Sequence, residues 1–140
     1  MECENGKESL LDCRRRDRRA LTERILLRAE WLEPADRALL ESVYADQVPI
    51  ARLARLRGHS PQRLRRRVRK LVGQLLAPST SYVLSRRSDW GRERWQVACK
   101  HLVAGRDLRR TAADLGLTLH TVRKHVEAVR TLFEAEKARA

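Results

Sequence analysis

An internal repeat is the feature of this sequence that most constrains its fold. Residues 34–77 align without a gap with residues 58 positions further on, so that Gly58 falls on Gly116. Each glycine lies four positions after an alanine and two positions before a serine or threonine. Glycine adopts the positive φ of a tight turn at low cost, and the hydroxyl side chain caps the helix that follows. Each copy therefore predicts a short helix, a glycine turn and a longer second helix.

Apolar spacing and composition favour an all-α fold. After each turn, apolar residues recur at intervals of three and four positions, which is the period of an amphipathic helix. They are Leu64, Val68 and Leu71 in the first copy and Val122, Val126 and Val129 in the second. With only 6 Gly and 4 Pro, the chain has too few turn residues for an all-β sandwich or barrel. The prediction is an N-terminal helix followed by two small helix-turn-helix bundles joined by a short linker.

The predicted domain boundaries follow proline residues and changes in composition. Residues 1–33 form an N-terminal helical leader, residues 34–77 a first helix-turn-helix unit (unit 1) and residues 89–140 a second (unit 2). Pro78 and the serine and threonine cluster after it predict a linker over residues 78–88. Helices are expected at 8–32, 35–46, 50–56, 61–76, 89–104, 108–115 and 119–136.

The charge of the chain indicates a polyanionic partner. The sequence has 31 Lys and Arg against 18 Asp and Glu, a formal net charge of +13. The leader is neutral, so the excess lies in the two units, and six of the eight residues from Arg63 to Lys70 are basic. Such a row suits a nucleic acid or an anionic membrane surface, and we expect nucleic acid and no membrane partner.

Several other classes of protein are disfavoured. No apolar run approaches about 18 residues, the length that spans a bilayer, and the first residues show no secretion signal. Cys3, Cys13 and Cys99 are odd in number and form no zinc pattern with the four histidines. We therefore expect reduced thiols, a cytoplasmic location, and neither a metal nor another cofactor. Because no paired carboxylates and no nucleophile motif are recognisable, we also expect no enzymatic activity.

The residues around the second turn resemble two families of bacterial transcription proteins. Residues 111–126 read TAADLGLTLHTVRKHV. They are similar to the DNA-binding domain of LuxR-type regulators and to the C-terminal promoter-reading domain of sigma factors. Both families share the pattern I-A-x-x-L-G-hydrophobic-S/T-x-x-T-V-basic. Thr111 departs from this pattern, which has an aliphatic residue at that position.

Unit 1 is closer to the sigma-factor version of the pattern. The matching residues are Leu53, Ala54, Gly58, Ser60, Pro61, Leu64 and Val68. Unit 1 departs from the pattern at Arg57 and His59, where aliphatic residues are expected, and Leu56 is predicted to supply the missing core contact. The resemblance covers roughly residues 33–137, and the chain has no counterpart of the aromatic-rich sigma domain that melts promoters.

The resemblance implies recognition helices that lie in the major groove, with their N-terminal residues at the base edges. Because the apolar residues of each helix face the core, the polar residues between them face outward. The predicted base-reading residues are Gln62, Arg63, Arg66 and Arg67 in unit 1 and Leu119, His120, Thr121 and Lys124 in unit 2. The predicted phosphate-contacting residues are Arg65, Arg69, Lys70 and Arg123.

These features predict a sequence-specific regulator of transcription that binds duplex DNA through its two helix-turn-helix units. One alternative is a protein adaptor that binds RNA polymerase or a sigma or anti-sigma partner, since sigma-type domains also contact polymerase. Another is the DNA-binding subunit of a recombinase whose catalytic residues lie on a separate chain. A DNA partner predicts steep salt dependence, whereas a protein partner predicts a milder dependence and an apolar hot spot.

Overall fold

The structure is a computed structural model that describes the backbone of residues 6–140 and the side chains from Leu10 onward. This part of the chain is helical and has no β-strand, so the all-α prediction is confirmed. Its helices are α1 (Gly6–Ala29), α2 (Pro34–Tyr44), α3 (Ile50–Arg57), α4 (Pro61–Leu75), α5 (Pro78–Ser85), α6 (Arg92–Val97), α7 (Leu108–Leu115) and α8 (Leu119–Arg139). A π-helical turn, Ala98–Val103, continues α6 directly. Within this described part, every helix is too short or too polar to cross a membrane.

The repeat that the sequence predicts is also present in the helix boundaries. Helix α3 and helix α7 begin and end at aligned positions, and both end on a glycine with positive φ, 69° at Gly58 and 65° at Gly116. The backbone N–H after each glycine donates to the carbonyl of the aligned alanine at 2.9 Å. The hydroxyl oxygens of Ser60 and Thr118 then accept the backbone N–H three residues later, at 3.2 and 3.1 Å. Local chemistry alone therefore fixes the same turn twice.

Residues 78–88 differ from the linker that the sequence predicts, because most of them form helix α5. Pro78 is the first residue of this helix, a position that tolerates proline because its missing N–H has no partner there. Thr80 and Val83 are buried, and the Thr80 hydroxyl donates to the Gln74 carbonyl at 2.6 Å. Val83 aligns with the buried Ile25 of α1, so α5 is the counterpart in unit 2 of the end of α1.

Helix packing repeats in the same order in both units. Helix α1 packs on α2 and α4, and α5 packs on the π-helical turn and on α8. One buried cluster crosses both units and includes Ile25, Leu40, Leu75, Val83 and Val129. A smaller cluster of Val97, Ala112, Val122 and Val126 lies beneath α7 and α8. The two units thus share most of one core, where the sequence predicts two bundles separated by a linker.

Polar contacts hold unit 2 against the end of unit 1. The Gln74 side chain at the end of α4 donates to the Val103 carbonyl at 2.6 Å. Gly105 lies against the same side chain with a φ of 76°, and a Cβ there would be 2.6 Å from the Gln74 amide nitrogen. Trp31 and Trp95 meet edge to face with their ring centroids 5.5 Å apart. A side chain at position 105 would be disfavoured by the positive φ and would displace the Gln74 amide from its contact with Val103.

Helix α1 has two different halves. Ile25 and Ala29 are buried, whereas Leu10, Leu11 and Leu21 are exposed, so only the end of α1 joins the core. The Arg28 guanidinium donates to the Leu75 carbonyl at 2.6 Å and to the Ser81 hydroxyl at 3.0 Å. Partial burial, together with the nearby charge of Arg24, lowers the pKa of Arg28 from its ordinary value. The end of α1 thus fastens α4 to α5.

Candidate nucleic-acid interface

The outward surface of unit 1 is formed by helices α3 and α4. Leu64, Val68, Leu71 and Leu75 are buried and fix the orientation of α4, as the spacing predicts. Residues 50–75 contain nine Lys and Arg residues and no acidic residue. In the described part of the chain, eight of these nine have no carboxylate within ion-pair distance. These eight are Arg52, Arg55, Arg57, Arg63, Arg65, Arg66, Arg69 and Lys70.

Arg67 is the basic residue of this surface that has a carboxylate partner. Its guanidinium donates to both carboxylate oxygens of Asp36 on α2, at 3.1 and 2.6 Å. Only 14% of the Asp36 side chain is exposed, so this contact lies on the flank of α4 that faces α2. Arg67, a predicted base reader, therefore links α4 to α2 in the unbound protein.

The other predicted site residues of unit 1 are exposed. Gln62 and Arg63 lie in the first turn of α4, and Arg66 follows one turn later on the exposed side. Arg63, Arg66 and Lys70 line a pocket that also includes Arg57 and His59 from the turn before α4. The remaining predicted phosphate contacts, Arg65 and Arg69, are exposed outside this pocket.

Helix α8 presents a less basic surface in unit 2. Val122, Val126 and Val129 are buried, and the predicted site residues Leu119 and Thr121 are half-buried. The Thr121 hydroxyl lies 2.8 Å from that of Thr118, so it takes part in the cap of α8. The exposed predicted residues of this helix are His120, Arg123 and Lys124.

His125 has a structural role that the sequence interpretation missed. It aligns with Arg67; His125 connects α8 to α6, just as Arg67 connects α4 to α2. The Arg94 guanidinium donates to its Nδ1 at 3.4 Å, and its Nε2 lies 2.8 Å from a carboxylate oxygen of Glu93. The sequence contains a signal for this role, because the aligned positions 67 and 125 both have a polar or charged residue.

Arg106 is a second residue that the sequence interpretation missed. Its guanidinium donates to Glu33, the residue just before α2, and to Asp114 on α7, so it joins unit 2 to the end of the leader. The hydrogen bond with Glu33 is the main reason that the pKa of Arg106 lies above its ordinary value. Spacing gives no hint of this contact, since Glu33 and Arg106 are 73 positions apart.

Cysteine and metal chemistry do not define a site in the described residues. Burial raises the pKa of the Cys99 thiol to about 12, which keeps it protonated at neutral pH and makes it a poor nucleophile. Cys99 is buried and belongs to the core as a small side chain. From Leu10 onward, no group of three His, Cys, Asp or Glu side chains is placed to hold a metal ion.

Comparison with known proteins gives no relative on which to model this surface. The chain matches no protein-family model, no curated protein and no solved structure. The function therefore has to be argued from the charge and geometry of α3, α4 and α8.

Proposed function

We propose that this protein is a cytoplasmic regulator of transcription that binds duplex DNA sequence-specifically through α4 and α8. The observation that carries the proposal is the surface of α3 and α4, which has nine basic residues, no acidic residue and, among the residues from Leu10 onward, a single ion pair, to Asp36. When basic side chains neutralise DNA phosphates, the counterions condensed on the DNA are released. This release supplies a large share of the affinity for DNA.

The shape of each unit supports the same proposal. A helix of about 10–12 Å diameter fits the major groove of duplex DNA, and α4 and α8 are each fixed by a capped turn and a buried apolar stripe. Arginine pairs with guanine and glutamine with adenine, which makes Gln62, Arg63 and Arg66 base-reading candidates. In unit 2 the candidates are His120, Lys124 and Thr121, whose hydroxyl has hydrogen-bonding capacity beyond its contact with Thr118.

The experiment that tests this function is selection of duplexes from a random pool, followed by a salt titration of the best duplex. If about eight phosphates are neutralised, the slope of log K against log salt is near −7. A scrambled duplex of the same length measures the non-specific component. A slope shallower than about −2 on every duplex contradicts the DNA function.

An apolar groove beside α8 favours a protein adaptor as a second candidate. The groove is lined by Pro78, Tyr82, Phe133 and Lys137, and the Tyr82 and Phe133 rings are 5.4 Å apart. Partly exposed aromatic residues of this kind are typical anchors of protein interfaces. RNA polymerase is the partner to test, with Tyr82→Ala expected to weaken its binding while duplex binding is unchanged. Loss of duplex binding alone in this variant contradicts the adaptor.

A further inference from the structure

We propose that unit 1 contains a pocket that binds phosphate groups and that the basic lining of this pocket is not repeated in unit 2. The pocket has a volume of about 390 Å³ and lies between the start of α2, the turn after α3 and the flank of α4. Its basic lining consists of Arg57, His59, Arg63, Arg66, Arg67 and Lys70. The surrounding residues Ala35, Leu39 and Leu64 make its floor apolar.

The charge in this pocket is not balanced by the protein. Five Lys or Arg side chains and one carboxylate, Asp36, line it, which leaves a net charge of +4 with His59 neutral. Asp36 is already engaged by Arg67 through two hydrogen bonds. In the described part of the chain, the other four cations have no carboxylate partner. Like charges in a concave site with low-dielectric walls attract anions more strongly than the same charges on a flat surface.

Unit 2 shows that the fold does not require this basic lining. Arg57 and His59 align with Leu115 and Leu117, which are half-buried and pack against the small core cluster of that unit. Lys70 aligns with Ala128. The glycine turns between these positions have nearly the same φ, so the two backbones are equivalent where the side chains differ. The departure of Arg57 and His59 from the aliphatic pattern therefore builds the pocket.

Phosphate is the anion that this set of side chains fits. Guanidinium groups form paired, charge-assisted hydrogen bonds with phosphate oxygens, and the lysine ammonium adds a point charge. Because five Lys or Arg side chains line the same pocket, they suit a ligand with several neighbouring phosphates better than a ligand with one carboxylate. These phosphates belong either to a DNA strand beside α4 or to a free polyphosphate. The DNA source rests on the proposed function, whereas the free source does not.

The first measurement is a calorimetric titration of the full chain with sodium tripolyphosphate. The pocket variant is R63Q/R66Q, and the control is R109Q/R110Q, which removes the same charge from two exposed residues of α7 outside the pocket. We expect the pocket variant to bind tripolyphosphate about tenfold more weakly or worse, since two charge-assisted hydrogen bonds are lost. The control is expected to stay within about threefold of the wild type, because more distant exposed charges are screened.

A second pair of variants tests the pocket with single substitutions, in case the double variants do not fold. R57L and R55L remove one exposed arginine each from the last turn of α3, and only Arg57 lines the pocket. R57L is expected to weaken tripolyphosphate binding severalfold and R55L to leave it nearly unchanged. Thermal unfolding of all four variants confirms that each remains folded.

Competition with duplex DNA separates the two phosphate sources. If tripolyphosphate displaces the duplex and the pocket variant loses more duplex affinity than the control, the pocket holds DNA phosphates. If tripolyphosphate and duplex bind together, or if the wild type binds tripolyphosphate but no duplex, the pocket holds a free polyphosphate. If the wild type binds tripolyphosphate but no duplex, the proposed DNA-binding function is contradicted and the phosphate-binding pocket is supported. Equal losses in pocket and control variants, or no binding of tripolyphosphate together with equal duplex losses, overturn the pocket.

Discussion

Helices α4 and α8, the helices that follow the two glycine turns, start alike and then diverge in charge. Ser60 and Thr118 cap α4 and α8 through the same hydrogen bond, and each helix follows a left-handed glycine. Along its 15 residues α4 then has six basic residues and no acidic one, whereas the aligned part of α8 includes Glu127 among fewer basic residues. A few local contacts thus fix the scaffold, while the exposed positions are free to specialise. We infer that unit 1 supplies more affinity and unit 2 at least as much sequence preference.

The largest expected effect comes from removing charge from α4. Arg65→Ala with Arg69→Ala is expected to flatten the salt slope by roughly two and to weaken all duplexes by one to two powers of ten at about 0.1 M salt. The corresponding change in unit 2 is Arg123→Ala alone, because Arg69 aligns with Glu127, and it should flatten the slope by about one. Fluorescence anisotropy with a preferred and a scrambled duplex gives both slopes. A larger slope change from Arg123→Ala would reverse the assignment of affinity to unit 1.

Base preference is the next effect and concerns unit 2. Lys124→Ala is expected to reduce discrimination at particular base pairs by about 1–3 kcal/mol, since one direct base contact is lost. Competition between the preferred duplex and duplexes with single base changes measures this loss. Equal weakening of all duplexes would instead make α8 a backbone clamp or a protein-docking surface.

The shared scaffold predicts equal costs at the two glycine turns. Gly58→Ala and Gly116→Ala should each destabilise the protein by about 1 kcal/mol, because alanine disfavours positive φ. No steric cost is added, since no atom lies within 4 Å of the new Cβ. Gly73→Ala in α4 is the control and should stabilise the protein by up to about 1 kcal/mol, since its site is helical and open. Urea denaturation measures all three changes. Clearly unequal costs at Gly58 and Gly116 would show that the turns are not equivalent.

The smallest expected effect concerns the contact between α2 and α4. Asp36→Asn should cost about 1 kcal/mol of stability or less, because the Asn side-chain oxygen can still accept a hydrogen bond from Arg67, whose side chain is 44% exposed. The same change should strengthen duplex binding, since it removes a negative charge beside the basic row. Glu93→Gln, at the contact with His125, is the counterpart in unit 2 and should leave duplex affinity closer to that of the wild type. Weaker duplex binding in Asp36→Asn would mean that the ion pair positions α4 for DNA.

Local signals explain which parts of the fold could be predicted from sequence. The limits of α7 and both glycine turns follow from capping and helical period, so they were predicted closely. Helix α5 could not be recognised, because Pro78 and the residues after it are typical of a loop and become helical through burial of Thr80 and Val83. The prediction that Leu56 contacts the core is wrong, since 73% of this residue is exposed on the outer side of α3.

The candidate site was predictable only where it depends on one helix. Exposure of Arg63 and Arg66 follows from the apolar stripe of α4, and Arg57 and His59 stood out as departures from an aliphatic pattern. That they line one pocket with Asp36 depends on the packing of α2 against α4. The role of Arg106 also depends on residues brought together by packing, which spacing does not encode.

The glycine at position 105 has a consequence for how many repeats can be joined. Unit 2 attaches to unit 1 head to tail, and a contact of this kind generates fibres when every unit presents both faces. The aligned residue in unit 1 is Gln47, which has a positive φ of 54° and a side chain where Gly105 has none. If a second chain approached in the same manner, this side chain would lie opposite Leu132, the counterpart of Gln74. We therefore expect Gln47 to disfavour the addition of further units in this head-to-tail arrangement.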